Sequence, residues 1–320
     1  MRFGFLMDPL EKVRVDHDTT FALMLESRRR GIEVRELREE WLFFAGGRVR
    51  SRMRTVDVER KAEAHFRVLA DADAPLADLD VLFLRKDPPV DVDFLRTTQM
   101  IELAPGPLWI NHPIGLRSAN EKLFALRFPD LGPPALVSSE IARLRAFIAA
   151  EGGDAVVKPL DGCGGEGVVR VRDGDPNFSA LLEIATGGGR VPVLAQAYLP
   201  AVREGDKRII VLDGEPIGAV LRVPRDGELR ANFAVGGRAA RAPITARDRE
   251  ICRRLAPDLR ALGLWLAGID VIGEKLTEVN VTSPTGFVEI DALSGQSLEA
   301  RVVDFALARA GLRGRAAAGM

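Results

Sequence analysis

Short aliphatic runs alternate with amphipathic stretches through the first third of the chain. An apolar run at residues 2–7 is followed by helical spacing over 19–30 and by a second apolar run at 32–37. This β-α-β order predicts a parallel sheet. The continuous aliphatic run at 79–84 predicts a buried strand that delivers Arg85 at its carboxyl end, where open α/β sheets bind ligands. With a helix at 91–103 and a strand at 108–111, residues 1–118 are predicted to form a doubly wound α/β unit.

The middle of the chain reads as a second, smaller unit. Ser118 with Glu121 has the spacing of a capping box, which predicts a helix from there to about residue 127. Further predicted elements are a helix at 140–151, strands at 155–160 and 168–172 around a glycine-rich loop, a helix at 180–186 and a strand at 193–197.

The last third begins with two predicted strands at 207–212 and 216–223. Residues 225–241 lack apolar periodicity and are rich in Gly and Arg, which predicts a mobile loop of the kind that usually serves a function. A helix at 247–262 precedes two β-rich runs at 267–272 and 276–282, which predict a tight hairpin. A closing helix is predicted at 298–310, and the tail 311–320 is predicted to be frayed.

The predicted hairpin carries oxygen-bearing side chains on one face. A three-residue turn would pair Ile272 with Leu276 and place Asp270 opposite Glu278, with Asn280 on the same face as Glu278. Hard oxygen ligands on a rigid hairpin suit Mg²⁺, which completes its shell with water and substrate phosphates. The alternative is a half-exposed sheet whose polar face is simply solvated.

Composition narrows the class of protein. The 320 residues include 45 basic and 46 acidic side chains, a balance that gives no electrostatic basis for binding nucleic acid or a membrane surface. No apolar run has the length of a membrane span or the form of a secretory signal. Cys163 and Cys252 do not make a disulfide framework, and three scattered histidines do not make a zinc site. These features predict a soluble cytoplasmic protein.

Residues 161–167 read DGCGGEG and contain the spacing G-x-G-x-x-G. A dinucleotide fingerprint lies between a strand and a helix, whereas β-branched residues follow here, so the loop is predicted to join two strands. Such a loop can fold over phosphates with its N–H groups; the alternative is an ordinary glycine-rich turn. Lys158 precedes the loop among apolar neighbours, where an unpaired charge is costly, and a nucleotide phosphate would be a suitable partner. Lys122 opens the second unit and is a similar candidate.

Two further stretches fit a nucleotide site less specifically. The main chain of residues 196–199 could read an adenine edge, although a connecting core strand is the alternative. Asp206 and Arg208 alternate at the start of the next strand and could take a ribose hydroxyl and a phosphate, with solvated alternation as the alternative.

Taken together, these residues resemble the ATP-grasp superfamily and, within it, the prokaryotic glutathione synthetases. The similarity is colinear from Phe5 to about Phe305. The most specific segments are RKDPP at 85–89 and NVTSP at 280–284. The others are MDP at 7–9, LADLD at 76–80, NEKLF at 120–124, KPLDG at 158–162, GDKR at 205–208, DGEP at 213–216 and GGR at 236–238.

The resemblance implies an α/β ATP-grasp fold behind an N-terminal doubly wound domain at 1–118. It also implies a central lid subdomain at 119–199 and a C-terminal subdomain at 200–310 that carries the metal hairpin. ATP would lie between two antiparallel sheets. The residues implied to contact it are Lys122, Lys158, Gly164, Gly165, Gln196, Tyr198, Leu199 and Asp206.

The resemblance further implies ATP-dependent ligation of γ-glutamylcysteine and glycine through an acyl phosphate, in a homotetramer that uses two Mg²⁺ ions or Mn²⁺ in their place. The implied metal ligands are Asp270, Glu278 and Asn280; the implied catalytic residues are Arg208, Arg222 and Gly237; the implied substrate residues are Arg85, Arg238 and Ser283. Cys163 and the segment 285–289 depart from the family pattern. The alternatives are a related carboxylate–amine ligase with another acceptor and a nucleotide-binding regulator without turnover, against which the intact metal and arginine candidates argue.

Overall fold

Three β-sheets follow one another along the chain in the computed structural model. The structure describes residues 1–61, 63–228 and 230–318, and Gly319 and Met320, in the predicted tail, lie outside the described residues. Among the described residues, no helix combines the length and the apolar character needed to cross a bilayer.

The first sheet has seven strands, of which β1, β2, β6 and β7 are parallel and β3, β4 and β5 are antiparallel additions at one edge. The strands are β1 (Arg2–Leu6), β2 (Glu33–Leu37), β3 (Leu42–Ala45), β4 (Arg48–Val58), β5 (Phe66–Pro75), β6 (Val81–Leu84) and β7 (Leu108–Ile110). Its helices are α1 (Thr19–Arg29), α2 (Val92–Glu102) and α3 (Pro113–Ser118).

Both faces of this sheet are covered, as the doubly wound prediction requires. Phe3 and Phe83 belong to the cluster that includes Phe21 of α1, whereas Leu82 belongs to the cluster that includes Phe94 of α2. Because alternate residues of one strand enter opposite clusters, the prediction of a continuous buried strand at 79–84 is confirmed in its essentials. The three antiparallel strands were not predicted.

The second sheet is antiparallel, in the order β10-β9-β11-β8. Its strands are β8 (Ala135–Ser138), β9 (Asp154–Pro159), β10 (Val169–Arg172) and β11 (Val193–Ala197), and its helices are α4 (Ile141–Ala150) and α5 (Phe178–Ala185). The glycine-rich loop joins β9 to β10, so the prediction that it connects two strands is confirmed.

The capping box predicted at Ser118 is wrong. Ser118 is the last residue of α3, and its hydroxyl donates to the carbonyl of Ile114 at 2.8 Å. The predicted helix to residue 127 is replaced by a turn and a short 3-10 helix at Ala125–Arg127, and the capping residue is Asn120, whose Oδ1 accepts from the N–H groups of Lys122 and Leu123.

The third sheet is antiparallel, in the order β14-β13-β12-β15-β16. Its strands are β12 (Asp206–Leu212), β13 (Glu215–Val223), β14 (Arg238–Arg241), β15 (Leu266–Ile272) and β16 (Lys275–Asn280), with helices α6 (Ala246–Ala261), α7 (Phe287–Ser294) and α8 (Leu298–Ala318). The frayed tail predicted from residue 311 is wrong as far as Ala318, because the Ala-, Leu- and Arg-rich sequence continues α8. The predicted loop 225–241 ends in strand β14.

The hairpin of β15 and β16 has a two-residue turn. Ile272 pairs with Lys275, so the predicted pair with Leu276 is wrong, whereas the predicted pairing of Asp270 with Glu278 is confirmed. Both statements hold because the register shifts by one residue next to Asp270. Such a bulge re-aims side chains and is common beside active sites.

Asn111, directly after β7, joins the first sheet to the third. Its Nδ2 donates to the carbonyls of Leu266 and Val281 at 2.6 and 2.7 Å, and its Oδ1 accepts from the N–H of Leu266 at 2.8 Å. The side chain is 3% exposed. Because all these bonds are made inside the protein, the hairpin is fixed relative to the first sheet.

Candidate active site

A cavity of about 450 Å³ opens between the second and third sheets, beside the segment that follows β6. Its walls include most of the residues singled out from the sequence: Lys122, Lys158, Gly164, Gly165, Gln196, Leu199, Asp206, Arg208, Arg222, Glu278, Asn280 and Ser283. Residues that are far apart in sequence therefore converge on one site.

The glycine-rich loop forms one wall and touches the segment that connects β13 to β14. Gly164 and Gly165 have φ values of 61° and 85°, which favour glycine. Arg230, in the segment 225–241, donates to the carbonyl of Gly165 at 3.3 Å. A Cβ on Gly165 would also approach Asn232 Oδ1 to 2.8 Å. The loop of the second sheet and the segment 225–241 of the third thus meet over the cavity.

The two lysines are both paired within the protein. Lys158 Nζ lies 3.1 Å from Glu278 Oε1, with side chains 11% and 18% exposed. Lys122 is 3% exposed, and its Nζ donates to Glu121 Oε1 at 2.6 Å and to the carbonyl of Gly162 at 2.5 Å. In this structure the charge of Lys158 is therefore paired with Glu278, a carboxylate of the hairpin.

Two arginines and two aspartates form a buried ion-pair network on β12, β13 and β15. Asp270 Oδ1 accepts from Arg208 Nε at 2.5 Å, and Asp270 Oδ2 lies 3.0 Å from Nη2 of both Arg208 and Arg222. Arg222 Nη2 also donates to Asp206 Oδ2 at 2.5 Å. The side chains of these residues are at most 14% exposed. The network places two guanidinium groups at the cavity wall.

Burial and the guanidinium groups act differently on the two aspartates. Burial works to raise the pKa of Asp270, but the charges of Arg208 and Arg222 outweigh it and hold that pKa below its usual value. Burial raises the pKa of Asp206 to about 6, because Arg222 offsets it only in part and Asp270 adds to the rise. Of the two aspartates, Asp206 is therefore the one whose charged form the network stabilises less.

Two atoms of this network lack hydrogen-bond partners within the part of the chain that the structure describes. They are Arg222 Nε and Asp206 Oδ1, and both residues line the cavity. Buried polar atoms in native proteins are almost always paired, so such orphans indicate a missing partner. A ligand that offers an acceptor to Arg222 and a donor to Asp206 would complete them.

The donor set facing the cavity fits a hard divalent cation. Glu278 and Asn280 line the cavity, whereas Asp270 lies behind Arg208 and Arg222 and also accepts from Asn280 Nδ2 at 3.3 Å. Among the described residues, no group of three or more His, Cys, Asp or Glu side chains could hold a metal ion by itself. One carboxylate and one amide oxygen suit Mg²⁺, which takes few protein ligands together with water and phosphates.

Of the three residues predicted to bind substrate, only one lines the cavity. Ser283 lines the cavity, and its hydroxyl donates to the carbonyl of Arg85 at 3.4 Å. Arg85 lies behind the wall, 3% exposed, and donates to Thr20 Oγ1 and the carbonyl of Pro284; its Nη1 has no partner among the described residues. Burial lowers the pKa of Arg85 to about 10. Arg238 begins β14, is exposed and lies outside the wall.

Tyr198 and Gly237 also lie outside the cavity wall. The guanidinium carbon of Arg170 is 3.4 Å from the ring centroid of Tyr198, and the N–H of Tyr198 donates to the carbonyl of Asp154. A Cβ on Gly237 would come within 1.9 Å of the carbonyl oxygen of Ala231, so only glycine fits there. Neither the ring of Tyr198 nor Gly237 therefore forms part of the cavity wall.

The sequence did not single out several wall residues, including Glu121, Arg230, Asn232 and Thr277. The spacing of Glu121 from Ser118 had predicted a role in helix capping. Burial raises its pKa above the usual value, and the nearby charge of Glu278 adds to the rise. Thr277 reaches the wall beside the bulge, and its hydroxyl donates to the carbonyl of Asp270 at 3.1 Å. A register shift of this kind has no sequence signal.

Sequence comparisons match the chain over nearly its full length. A family model described as "Prokaryotic glutathione synthetase, N-terminal domain" matches residues 1–117, and one described as "Prokaryotic glutathione synthetase, ATP-grasp domain" matches residues 121–295. The glutathione synthetase of Escherichia coli strain K12 is 42% identical over 312 residues, which cover 97% of this chain and 98% of the relative. That of Pseudomonas syringae pv. tomato is 44% identical over 307 residues, covering 95% and 96%.

Solved structures agree on the fold. The D-cycloserine synthetase DcsG superposes with a TM-score of 0.66 at 18% identity, covering 97% of this chain and 99% of that one. The ATP-grasp ligase PsnB, complexed with a precursor peptide and AMPPNP, superposes with a TM-score of 0.62 at 17% identity, covering 97% and 98%. At these identities the similarity is one of fold, and the predicted ATP-grasp architecture is confirmed.

Proposed function

Because this chain belongs to the prokaryotic glutathione synthetase family, we propose that its cavity joins γ-glutamylcysteine to glycine while ATP is converted to ADP and phosphate. The chain is an ATP-dependent ligase of the ATP-grasp type. The observation that carries the reaction is the convergence, on one cavity, of two lysines, two arginines and the oxygen donors of the hairpin. Such a site can neutralise phosphates while it holds a carboxylate in line.

The proposed chemistry asks little covalent work of the protein. The carboxylate of the dipeptide attacks the γ-phosphate of ATP and gives an acyl phosphate and ADP. The amine of glycine then attacks the acyl carbon, the amide bond forms, and phosphate leaves with the oxygen that came from the carboxylate. Arg208 and Arg222 neutralise the transferring phosphoryl group, which their guanidinium groups can approach from the cavity wall.

We assign the nucleotide to the space between the glycine loop and the third sheet. Its phosphates would meet Lys122, Lys158 and the N–H groups of Gly164 and Gly165. The adenine would lie along the main chain of residues 196–199, including Gln196, Tyr198 and Leu199. Asp206 would bind a ribose hydroxyl, because its Oδ1 has no hydrogen-bond donor among the described residues and a hydroxyl can donate to it.

We assign the divalent cation, as two Mg²⁺ ions that Mn²⁺ can replace, to Glu278, Asn280 and Asp270. When bound, it would lower the negative charge of the phosphates. Glu278 and Asn280 offer oxygens to the cavity directly, whereas Asp270 can do so only when Arg208 or Arg222 turns toward phosphate. The arginines would thus change their ion-pair partner from the Asp270 carboxylate to the phosphoryl group.

On the acceptor side, we propose that Arg85, Ser283 and Arg238 bind substrate carboxylates. The unpartnered Nη1 of Arg85 supports this role for the first of them. Gly237 would allow the segment 225–241 to close over the intermediate. The units at 1–118, 119–199 and 200–310 are proposed as substrate-side domain, lid subdomain and metal-bearing subdomain.

The segment 225–241 should act as a lid, because an acyl phosphate must be kept from water. It holds four arginines that trypsin can cleave, at 225, 230, 238 and 241. With ADP, Mg²⁺ and glutathione, cleavage inside the segment should slow at least several-fold, while cleavage elsewhere keeps its rate. Equal rates of cleavage inside the segment with and without these ligands would exclude the lid role.

We also propose a homo-oligomer, a tetramer by the family resemblance, that works in the cytoplasm, where ATP and reduced thiols are available. Strand β5 supports association: among the described strands it pairs only with β4, and it exposes Val68 and Leu69 by 39% and 57%. A second copy would cover such an apolar edge. The mass of the particle in solution tests this: a mass of two or more chains supports association, and the mass of a single chain, 34.9 kDa, would contradict it.

The function is tested by phosphate release from MgATP. Release should require γ-glutamylcysteine and rise to full rate only when glycine is added, with glutathione formed in equal amount. A ligase with another acceptor would release no phosphate with this pair, and a regulator without turnover would release none with any pair. Either result would overturn the proposed reaction.

A further inference from the structure

Glu121 is a carboxylate of the cavity wall that the roles assigned above do not use. Its Oε1 lies 2.6 Å from Lys122 Nζ, and the two side chains are 22% and 3% exposed. A buried ammonium is costly unless an anion meets it, so Glu121 supplies the counter-charge that lets Lys122 lie inside the protein.

The backbone that carries this pair is fixed on both sides. Asn120 Nδ2 donates to the carbonyl of Leu160 at 3.0 Å, and its Oδ1 accepts from the N–H of Lys122 at 3.0 Å. The carbonyl of Glu121 accepts from the N–H of Val279 on β16 at 2.8 Å. The turn is thus tied to the end of β9 and to the hairpin, so the direction of the ammonium depends on the contacts of the Lys122 side chain.

Those contacts leave one direction open. An ammonium has three donors, and Lys122 spends two of them on Glu121 Oε1 and on the carbonyl of Gly162 in the glycine loop. The residue lines the cavity, so the third donor is available to a ligand there. Without Glu121 the long side chain would lose its charged anchor and sample other rotamers.

We propose that Glu121 is a positioning residue that aims the Lys122 ammonium at the phosphates of the nucleotide. This inference rests on the proposed nucleotide site. In this proposal Glu121 acts by holding Lys122 in place and not by binding the nucleotide itself.

The test compares Glu121→Ala with Glu121→Gln by calorimetric titration with ADP and Mg²⁺. Glu121→Ala should weaken ADP binding about tenfold, the effect of one hydrogen bond to a charged group. Glu121→Gln should stay within about threefold, because its amide oxygen still accepts from the ammonium. The KM for ATP should follow the same order, with kcat nearly unchanged. Glu140→Ala, which removes an exposed ion pair with Arg143, should leave ADP binding unchanged and serves as the matched control.

A double-mutant cycle separates positioning from a structural effect. In a Lys122→Met background, Glu121→Ala should weaken ADP binding no further, because its only route of action is gone. An equal loss in both backgrounds, or no loss with Lys122 present, would overturn the proposal. If Lys122→Met alone leaves ADP affinity unchanged, the proposal falls with its premise, and the assignment of Lys122 to the nucleotide site fails with it.

Discussion

Glu278→Gln should lower the ligase rate by roughly two orders of magnitude, comparable to the loss of one preorganised electrostatic contact. Glu278 is the carboxylate of the hairpin that faces the cavity, with Asn280 two residues along the same strand and Asp270 opposite on the partner strand. We propose Glu278 as the ligand that two cations would share, because it is the carboxylate among the three proposed ligands that lines the cavity. Glutamine keeps the shape and one oxygen but removes the charge that would hold a cation against the phosphates.

The measurement is the ligase rate across a Mg²⁺ titration, with Asn280→Ala as the companion variant. Asn280→Ala should have the milder effect, because water can replace a neutral ligand. Glu278 also pairs with Lys158, so the thermal melting of each variant must be compared to exclude partial unfolding. A Glu278→Gln enzyme with near-normal rate and Mg²⁺ dependence would show that the hairpin is not the metal site.

Asp270→Asn should be the most destabilising of the substitutions at the site. Asp270 is 2% exposed and receives hydrogen bonds or ion pairs from Arg208, Arg222 and Asn280. Removing its charge leaves two buried guanidinium groups with Asp206 as their remaining carboxylate partner. Breaking a buried pair in this way costs about 3–5 kcal/mol, because the partner charge stays buried without compensation. The free energy of unfolding from urea titration measures the loss.

The matched control is Asp130→Asn, which removes the same charge from an exposed pair with Arg254. Its effect should stay below about 1 kcal/mol, as for other surface ion pairs. If Asp270→Asn is no more destabilising than this control, the buried network does not hold the third sheet together. Its arginines would then not be held in place by Asp270.

Periodicity predicted the elements that are apolar on a clear face. Strands β1, β2 and β6 and helix α1 were placed within a few residues of their ends. Strands β4 and β5 were not predicted, although arginine at alternate positions of β4 is the pattern of a half-buried strand; β5 reads FRVLADADAP, with few of the residues that favour strands. These strands form at the edge of the sheet through pairing with neighbours, a contact that local sequence does not report.

Motif reasoning located the cavity better than it described its interior. The glycine loop, the lysines and the hairpin were recognisable because each has a local pattern. The pairing of Lys158 with Glu278 spans 120 positions of sequence, and the network around Asp270 joins three strands. Which charge neutralises which is decided by tertiary packing. The sequence predicted Asp270 as a metal ligand, but it did not predict that Arg208 and Arg222 would pair with this carboxylate.

The most direct test of the proposed reaction follows one oxygen atom. γ-Glutamylcysteine labelled with ¹⁸O in the reacting carboxylate is incubated with MgATP, glycine and the enzyme, and the released phosphate is analysed by mass spectrometry. If a carboxylate oxygen attacks the γ-phosphate and later leaves with the phosphate, each phosphate carries one ¹⁸O atom and glutathione forms in equal amount. Unlabelled phosphate, or label found in AMP, would contradict the acyl-phosphate route.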